Sequence, residues 1–231
     1  MRNAAALAAL TVAALPLAAQ GGPGTFTDPS TGVVFPVELQ APGGGTQVLT
    51  GTGVRTRTVL NVKVYAFGLY VDPAGAKSEL AAFAGKPAKD LERDETFYSR
   101  LLERRFPMTL RLVMTRDVDG ATMAEAFDGA LRPRVVRAAA EKSMSGGEQA
   151  LDQFRGYFST EKLTKESELV FSCSPEGRLL TSIRGAAQPE IDSPALCWAL
   201  FDVYLGSNPV SSGGKRSVIG NFPALLAAGN D

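Results

Sequence analysis

The chain has 231 residues, a length that fits one domain with a sizeable core. It carries 24 basic and 24 acidic residues, so its net charge is formally zero and no broad basic surface argues for nucleic-acid binding. It contains no histidine, which excludes Ser-His-Asp and Cys-His catalysis and removes the commonest transition-metal ligand. Its two cysteines are too few for a cysteine-rich zinc site, and we expect neither a metal nor another cofactor.

The N-terminus has the pattern of an export signal. Arg2 precedes an almost unbroken apolar run that closes with small residues before Gln20. The alternative is an uncleaved anchor, but the run is shorter than the roughly 20 residues that span a bilayer. We therefore expect a cleaved signal peptide at residues 1–19 and a single domain at residues 20–231. The mature protein would have no stable membrane span and would be periplasmic or secreted.

Residues 51–72 hold the most informative pattern, two β-patterned runs joined by a short polar break. The first run places Arg55 and Arg57 on one side of its alternation. One face of the second run carries Lys63, Tyr65, Phe67 and Leu69. A hairpin of the two runs would bring Tyr65 and Lys63 close to Arg55. An arginine and a tyrosine aimed at an apolar space can anchor an acidic or carbonyl head group.

Each of these polar residues also has a purely structural interpretation. Arg55 and Arg57 could be solvated charges on an exposed strand, and for Arg57 we favour that interpretation. Tyr65 could be a core residue whose hydroxyl bonds a backbone carbonyl. Lys63 could extend along the sheet margin with its charge in water.

Helical patterns follow the hairpin. A short amphipathic helix is expected at residues 77–84, and a more charged one within residues 90–106. A longer helix is expected within residues 117–142, with a capping-box pattern that begins at Thr122. Pro133 lies inside it and should kink or interrupt the helix.

Strand patterns surround these helices. We expect strands at residues 33–39 and 108–115, and a β-hairpin at residues 169–184 around the turn sequence SPEG. A second capping box at Ser145 opens a further helix, whose buried stripe comprises Leu151, Phe154 and Phe158. The adjacent hairpins favour an antiparallel sheet with helices packed on one face, an α+β fold.

The last clear helix has well-defined ends. Ser193 and Pro194 suit the N-cap and the first helical position, and Gly206 suits the C-terminal stop. The residues between them are apolar on nearly every side of the helix. Such a helix should be sandwiched between two layers of the fold.

The two cysteines allow two interpretations. Cys173 ends a strand pattern and Cys197 lies in the last helix pattern, so a disulfide is possible in an oxidising compartment. The alternative is two separate buried thiols that act as small hydrophobic side chains. The spacing does not decide between them, and we favour the separate thiols.

Three segments, taken in order, resemble the chalcone isomerase family. GTGVR at residues 51–55 and VKVYAFGLYV at residues 62–71 resemble its N-terminal signature. AEAFDGALRPRV at residues 124–135 resembles its central helix, and SPALCWALFDVYLGSNPVS at residues 193–211 resembles its late helix and following segment. The resemblance implies an open-faced β-sandwich, in which helices cover a curved antiparallel sheet and a cleft lies between them.

The family contains catalytic members and non-catalytic, fatty-acid-binding members. Its catalytic members cyclise a chalcone to a flavanone, and Arg55 matches their arginine, which orients the substrate and stabilises enolate charge. However, a threonine is expected where this chain has Tyr65, and the tyrosine and asparagine expected on the central helix are missing from residues 120–142. The resemblance therefore weighs against efficient chalcone cyclisation.

The fatty-acid-binding members of the family keep an arginine and a tyrosine that hold a carboxylate. Arg55 and Tyr65 match both positions. We therefore expect a non-catalytic protein that binds a fatty acid or a similar apolar carboxylate, with Lys63 and Phe67 as further ligand-binding residues. Two alternatives stay open: an isomerase acting on an enone or phenolic ligand, and a partner-binding module whose cleft has collapsed. The oligomeric state is not predicted.

Overall fold

The computed structural model describes residues 24–57, 61–158 and 162–228. The expected signal peptide therefore lies outside the described residues. The main element is an eight-stranded antiparallel sheet with the strand order β10-β8-β7-β6-β5-β4-β3, in which β9 pairs with β8. Its strands are β3 (Glu38–Gln40), β4 (Thr46–Arg57), β5 (Val62–Val71), β6 (Met108–Met114), β7 (Glu168–Cys173), β8 (Arg178–Ile183), β9 (Ala186–Ala187) and β10 (Ile191–Asp192).

Helices cover one face of this sheet, and the larger hydrophobic core lies between the two layers. Alternate residues of β5, among them Phe67 and Leu69, meet the buried stripes of the helices there. The α+β arrangement expected from the sequence is confirmed. The helices are α1 (Pro73–Glu79), α2 (Ala88–Leu91), α3 (Glu95–Glu103), α4 (Gly120–Lys142), α5 (Glu148–Gly156), α6 (Pro194–Leu205), α7 (Ser212–Gly220) and α8 (Phe222–Ala227), with a 3₁₀ turn at Ala81–Phe83.

A second, smaller core lies on the opposite face of the sheet. There a hairpin of β1 (Thr25–Thr27) and β2 (Val34–Pro36) presses Phe26 and Phe35 against Tyr70 of β5. The single strand expected at residues 33–39 is in fact two short strands, β2 and β3. Pro36 ends the first of them, which is a position that suits a residue without a backbone N–H group.

Helix α6 confirms its sequence signals. The Ser193 hydroxyl accepts a hydrogen bond from Leu196 N at 3.0 Å, Pro194 occupies the first turn, and Gly206 is the C-cap. Every residue from Ala195 to Leu205 is buried. The helix packs against α3, α4, α7 and β8, so it is enclosed by other elements as expected.

The start of α1 differs from the expectation for residues 77–84. The helix begins at Pro73, and the Asp72 carboxylate caps it by accepting a hydrogen bond from Gly75 N at 2.6 Å. Pro73 is part of the helix and does not block its start. Proline is also well suited to the first turn of a helix, because its missing N–H has no helical partner there.

The long helix α4 bears on two further expectations. It runs through Pro133 without interruption, because its buried stripe packs against the core on both sides of the proline. The capping boxes are wrong, since the N-caps of α4 and α5 are Asp119 and Gly147, and neither makes a side-chain cap bond. Thr122 instead lies inside the helix, and Ser145 precedes α5 by more than one residue.

The cysteines form a disulfide, so the favoured prediction of two separate thiols is wrong. Cys173 ends β7, Cys197 lies in α6, and their Cα atoms are 6.1 Å apart. This separation is within the usual range for a disulfide, which joins the sheet to the buried helix. The sequence spacing could not show that these two elements are neighbours.

Candidate functional site

Two glycines of β4 let helix α7 lie directly on the strand. A Cβ atom at Gly53 would be 2.5 Å from the Cα of Gly214 and 2.5 Å from the ring of Phe67. A Cβ atom at Gly51 would be 2.6 Å from the backbone of Ser217. The spacing GxGxR thus has a physical cause. The two glycines leave room for the backbone of α7, and Arg55 follows two residues later in a half-buried position.

Arg55 and Tyr65 are direct neighbours across the pair of strands β4 and β5. Tyr65 is only 2% exposed and belongs to the core beneath the helices. Side chains of directly opposite residues on an antiparallel pair can interact. The structure therefore brings these two predicted site residues together.

A second tyrosine completes this arrangement. The hydroxyl oxygens of Tyr65 and Tyr204 are 2.9 Å apart, and Tyr204, on α6, is 1% exposed. Phe67 packs edge-on against the Tyr204 ring, with the ring centroids 4.7 Å apart. Sequence reasoning did not single out Tyr204. The available signal was a hydroxyl group within a helix that is otherwise almost entirely apolar.

The electrostatics keep both phenols protonated. Burial raises the pKa of the Tyr65 hydroxyl, and the charge of Arg55 together with the bond to Tyr204 offsets this only in part. Burial raises the pKa of Tyr204 as well, and the neighbouring Tyr65 raises it further. Two phenols have two protons and need only one for their mutual bond. The pair can therefore donate one hydrogen bond beside the Arg55 guanidinium.

Lys63 is not part of this arrangement. The register shifts between the pairs Arg55–Tyr65 and Thr56–Lys63, so that Val64 is an extra residue in β5. The regular alternation that would place Lys63 beside Tyr65 is broken, and the Lys63 ammonium donates to the carbonyl of Ser30 at the β1–β2 turn. Phe67, by contrast, lies under the tyrosine pair as a packing residue.

Two spaces adjoin Arg55. The first is a cavity of about 30 Å³, and the second is an open groove of about 400 Å³. Arg55, Arg57 and Ala126 line both spaces, so the two meet there. The cavity is further lined by Val64, Tyr65, Val118, Thr122, Met123 and Phe127. It has room for about one water molecule, so Met123 and Phe127 nearly close the cleft between α4 and the sheet.

Two other features are absent from the part of the chain that the structure describes. Within residues 24–57, 61–158 and 162–228, no cluster of acidic or cysteine side chains could hold a metal ion. In the same residues, no helix combines the length and apolar character required to cross a bilayer. The arginine and the phenol pair are therefore the groups from which a function is derived.

The phenol pair supports a first prediction. Tyr204→Phe removes one hydroxyl and leaves the ring, so it should lower the free energy of unfolding by about 1 kcal/mol. Tyr65→Phe should cost a similar amount, because both variants break the same bond. Urea titration measures both, with Tyr157→Phe as the control, since that hydroxyl bonds Pro189 O at an exposed edge.

The double variant decides the interpretation. If Tyr65 and Tyr204 bond each other, the Tyr65→Phe/Tyr204→Phe variant should lose clearly less than the sum of the two single losses. The reason is that no buried hydroxyl is then left without a partner. Strictly additive losses would contradict a direct bond between the two phenols.

Comparisons with known proteins show which family the chain is similar to. A family model described as chalcone isomerase like matches residues 46–219. Fatty-acid-binding protein 2 of Arabidopsis thaliana is 31% identical over 199 residues, which is 83% of this chain and 49% of that protein. The chain thus spans about half the length of this relative. A chalcone–flavanone isomerase of Oryza sativa subsp. japonica is 29% identical over 211 residues, 85% of this chain and 89% of the enzyme.

The fold is shared with a solved relative. The crystal structure of fatty-acid-binding protein 1 of Arabidopsis thaliana superimposes with a TM-score of 0.75 at 25% identity. The match covers 87% of this chain and 98% of the other. Because the family model matches residues 46–219, well over half of the sequence, this chain belongs to the chalcone isomerase-like family.

Proposed function

We propose that this protein binds a fatty acid or a similar apolar carboxylate without turning it over. The carboxylate would lie at Arg55 and Tyr65, with the acyl chain in the core beneath α4. One observation carries the proposal: Arg55 has no carboxylate partner among the described residues, yet it lies beside a buried phenol pair. A forked guanidinium and a phenol donor match the acceptors of a carboxylate.

The comparisons support the ligand class. Two relatives carry the name fatty-acid-binding protein, and the solved structure is that of one of them. Chalcone–flavanone isomerases are also related, so turnover is the competing function. The residues that α4 contributes favour binding. Thr122, Met123 and Phe127 line the cavity, and α4 contains neither the tyrosine nor the asparagine that the catalytic pattern expects on the central helix.

Ligand entry requires the cleft to open. Ligand pockets usually measure about 300–1,000 Å³, well above the described cavity. Met123 and Phe127 are the side chains that an acyl chain would displace. The flexible thioether chain of methionine adapts readily to a new neighbour. The first turn of α4 is the segment best able to shift, because its N-cap, Asp119, makes no side-chain cap bond.

We also propose that the protein acts outside the cytoplasm, as a periplasmic or secreted binder. The apolar leader in the sequence supports this, although it lies outside the described residues. The Cys173–Cys197 bond supports it independently, because disulfides persist mainly in oxidising compartments.

A direct experiment tests the binding function. The mature protein is extracted with organic solvent, and co-purifying molecules are identified by mass spectrometry; dodecanoate affinity is then measured by calorimetry. We expect bound fatty acid near one equivalent. Arg55→Ala should weaken dodecanoate binding by about ten- to thirtyfold, because it removes a charge-assisted hydrogen bond. The exposed Arg105, which pairs with Glu103, provides the matched control Arg105→Ala.

The outcomes separate the competing functions. Unchanged affinity in Arg55→Ala would exclude the proposed head-group site. An empty extract and no dodecanoate binding, together with turnover of a chalcone panel that Arg55→Ala abolishes, would establish the isomerase instead. If the protein shows no binding and no turnover, the partner-binding module with a closed cleft is favoured.

A further inference from the structure

The groove outside Arg55 is larger than a carboxylate needs. We call it the basic groove; it measures about 400 Å³ and is lined by Arg55, Arg57, Glu125, Ala126, Gly129, Ala130, Arg134, Asn208, Pro209 and Val210. It meets the buried cavity at Arg55, so a ligand that has its chain inside would direct its head group outward into this space. A carboxylate ends at Arg55 and leaves the groove empty.

One wall of the basic groove is held rigidly in place. The Arg134 guanidinium donates to the Asp202 carboxylate at 2.8 Å, to Ala130 O at 2.7 Å and to Asn208 O at 2.8 Å. These bonds fix the loop around Asn208 against α4. Asp202 also accepts from Arg137, so the single carboxylate offsets only one of these two arginines, and the wall keeps a net positive charge.

Further positive charge, with no carboxylate bound to it, comes from β4. Arg55 and Arg57 lie two residues apart on one side of the strand, about 7 Å along it. Neither forms an ion pair with a carboxylate among the described residues, and Glu125 is the one acidic residue in the described lining of the groove. Arg57 is exposed, as the sequence indicated. Around the groove, four arginines (Arg55, Arg57, Arg134 and Arg137) thus face two carboxylates (Glu125 and Asp202), which leaves about two positive charges, more than a single carboxylate would neutralise.

A phosphate monoester fits this surplus better than a carboxylate does. It carries between one and two negative charges near neutral pH and has three terminal acceptor oxygens. Arginine binds such groups through paired N–H donors, and two arginines on one strand can approach different oxygens of the same phosphate. The Tyr65 phenol remains available to donate a hydrogen bond to the ester oxygen that joins the phosphate to the chain.

We propose that the preferred ligand of this site is a long-chain phosphate monoester, with its phosphate between Arg55 and Arg57. The inference rests on the proposed function for the position of the chain, and it adds Arg57 as the residue that selects the head group. Glu125 opposes the phosphate, because it brings the only negative charge among the described residues lining the groove.

Calorimetry with matched twelve-carbon ligands tests this inference. Dodecyl phosphate and dodecanoate are titrated, at one ionic strength and below their micelle concentrations, into the wild type and the exposed-residue variants Arg57→Gln and Glu125→Gln. We expect the wild type to prefer the phosphate by about tenfold. Arg57→Gln should reduce that preference to about equal affinity. Glu125→Gln should raise phosphate affinity by about two- to threefold, an effect that shrinks at high salt.

The controls identify what has failed. Arg105→Gln, which removes an exposed arginine elsewhere, should leave both affinities unchanged. Inorganic phosphate should bind far more weakly than dodecyl phosphate; equal binding would show an anion site without a chain and would overturn the inference. A preference that Arg57→Gln does not alter would also overturn it, while Arg55-dependent dodecanoate binding would leave the proposed function intact. If neither ligand binds, both proposals fail.

Discussion

Asp202→Ala is expected to lower the free energy of unfolding by about 3–5 kcal/mol, the usual loss when one partner of a buried ion pair is removed. Asp202 lies on α6 with its side chain 7% exposed, and its carboxylate accepts from Arg134 at 2.8 Å and from Arg137 at 2.9 Å. The Arg134 side chain is only 15% exposed. Without Asp202, a largely buried guanidinium loses its counter-charge.

Urea unfolding measures this loss, and the chain offers a matched control. The Asp152 carboxylate also pairs with an arginine, Arg132, but its side chain is 59% exposed. Asp152→Ala should therefore cost less than about 1 kcal/mol. Equal losses for Asp152→Ala and Asp202→Ala would show that burial does not distinguish the two ion pairs.

The effect of Asp202 should extend to the proposed binding site. Arg134 bonds Asn208 O as well as Asp202, so losing the carboxylate frees one wall of the basic groove. Tyr204 follows Asp202 by two residues on the same helix. Removing Asp202 also leaves more positive charge beside the groove, so an Asp202→Ala protein that remains folded should bind dodecyl phosphate with a changed affinity and a steeper salt dependence, whereas Asp152→Ala should not.

Elements with local signals were predictable. The N-cap Ser193, the proline after it and the Gly206 stop all act within one helical turn, and α6 has these ends. The neighbouring positions of Arg55 and Tyr65 followed from a short hairpin, in which register is set nearby. The family resemblance then gave these two residues a chemical role that periodicity alone could not assign.

Elements that depend on distant contacts were not predictable. Tyr204 is 139 positions from Tyr65, and no local pattern links the two hydroxyls. The pairing of Cys173 with Cys197 likewise depends on β7 and α6 being neighbours. Lys63 shows a different limit: strict alternation assumes a regular strand, and one extra residue in β5 sends its side chain to the opposite face.

Helix starts show a further limit of local rules. Thr122 matched a capping box, but α4 begins two residues earlier, at Gly120. Packing of the apolar stripe on α4 against the sheet outweighs a cap that would contribute about 1 kcal/mol. The same packing carries the helix through Pro133. A propensity is decisive only where no larger buried surface competes with it.

Gly53→Ala is expected to destabilise the protein by about 3 kcal/mol, at the upper end for overpacking. The added methyl would be 2.5 Å from the Cα of Gly214 as well as from the Phe67 ring, and a backbone atom cannot move aside as a rotamer can. The helix α7 would have to lift from β4. Arg55, two residues further along that strand, would then lose its position opposite Tyr65.

The control for this prediction is another glycine of the same contact region. Gly213 lies in the first turn of α7, and an added Cβ there would have no atom within 4 Å. Gly213→Ala should be neutral or stabilising by about 0.5 kcal/mol, since alanine favours helix and restricts the unfolded chain. Thermal and urea unfolding of both variants give the comparison. Similar losses at Gly53 and Gly213 would mean that the first glycines of GTGVR are not required for close packing. A loss confined to Gly53 would show that the motif allows α7 to pack closely on β4 and thereby fixes the position of Arg55.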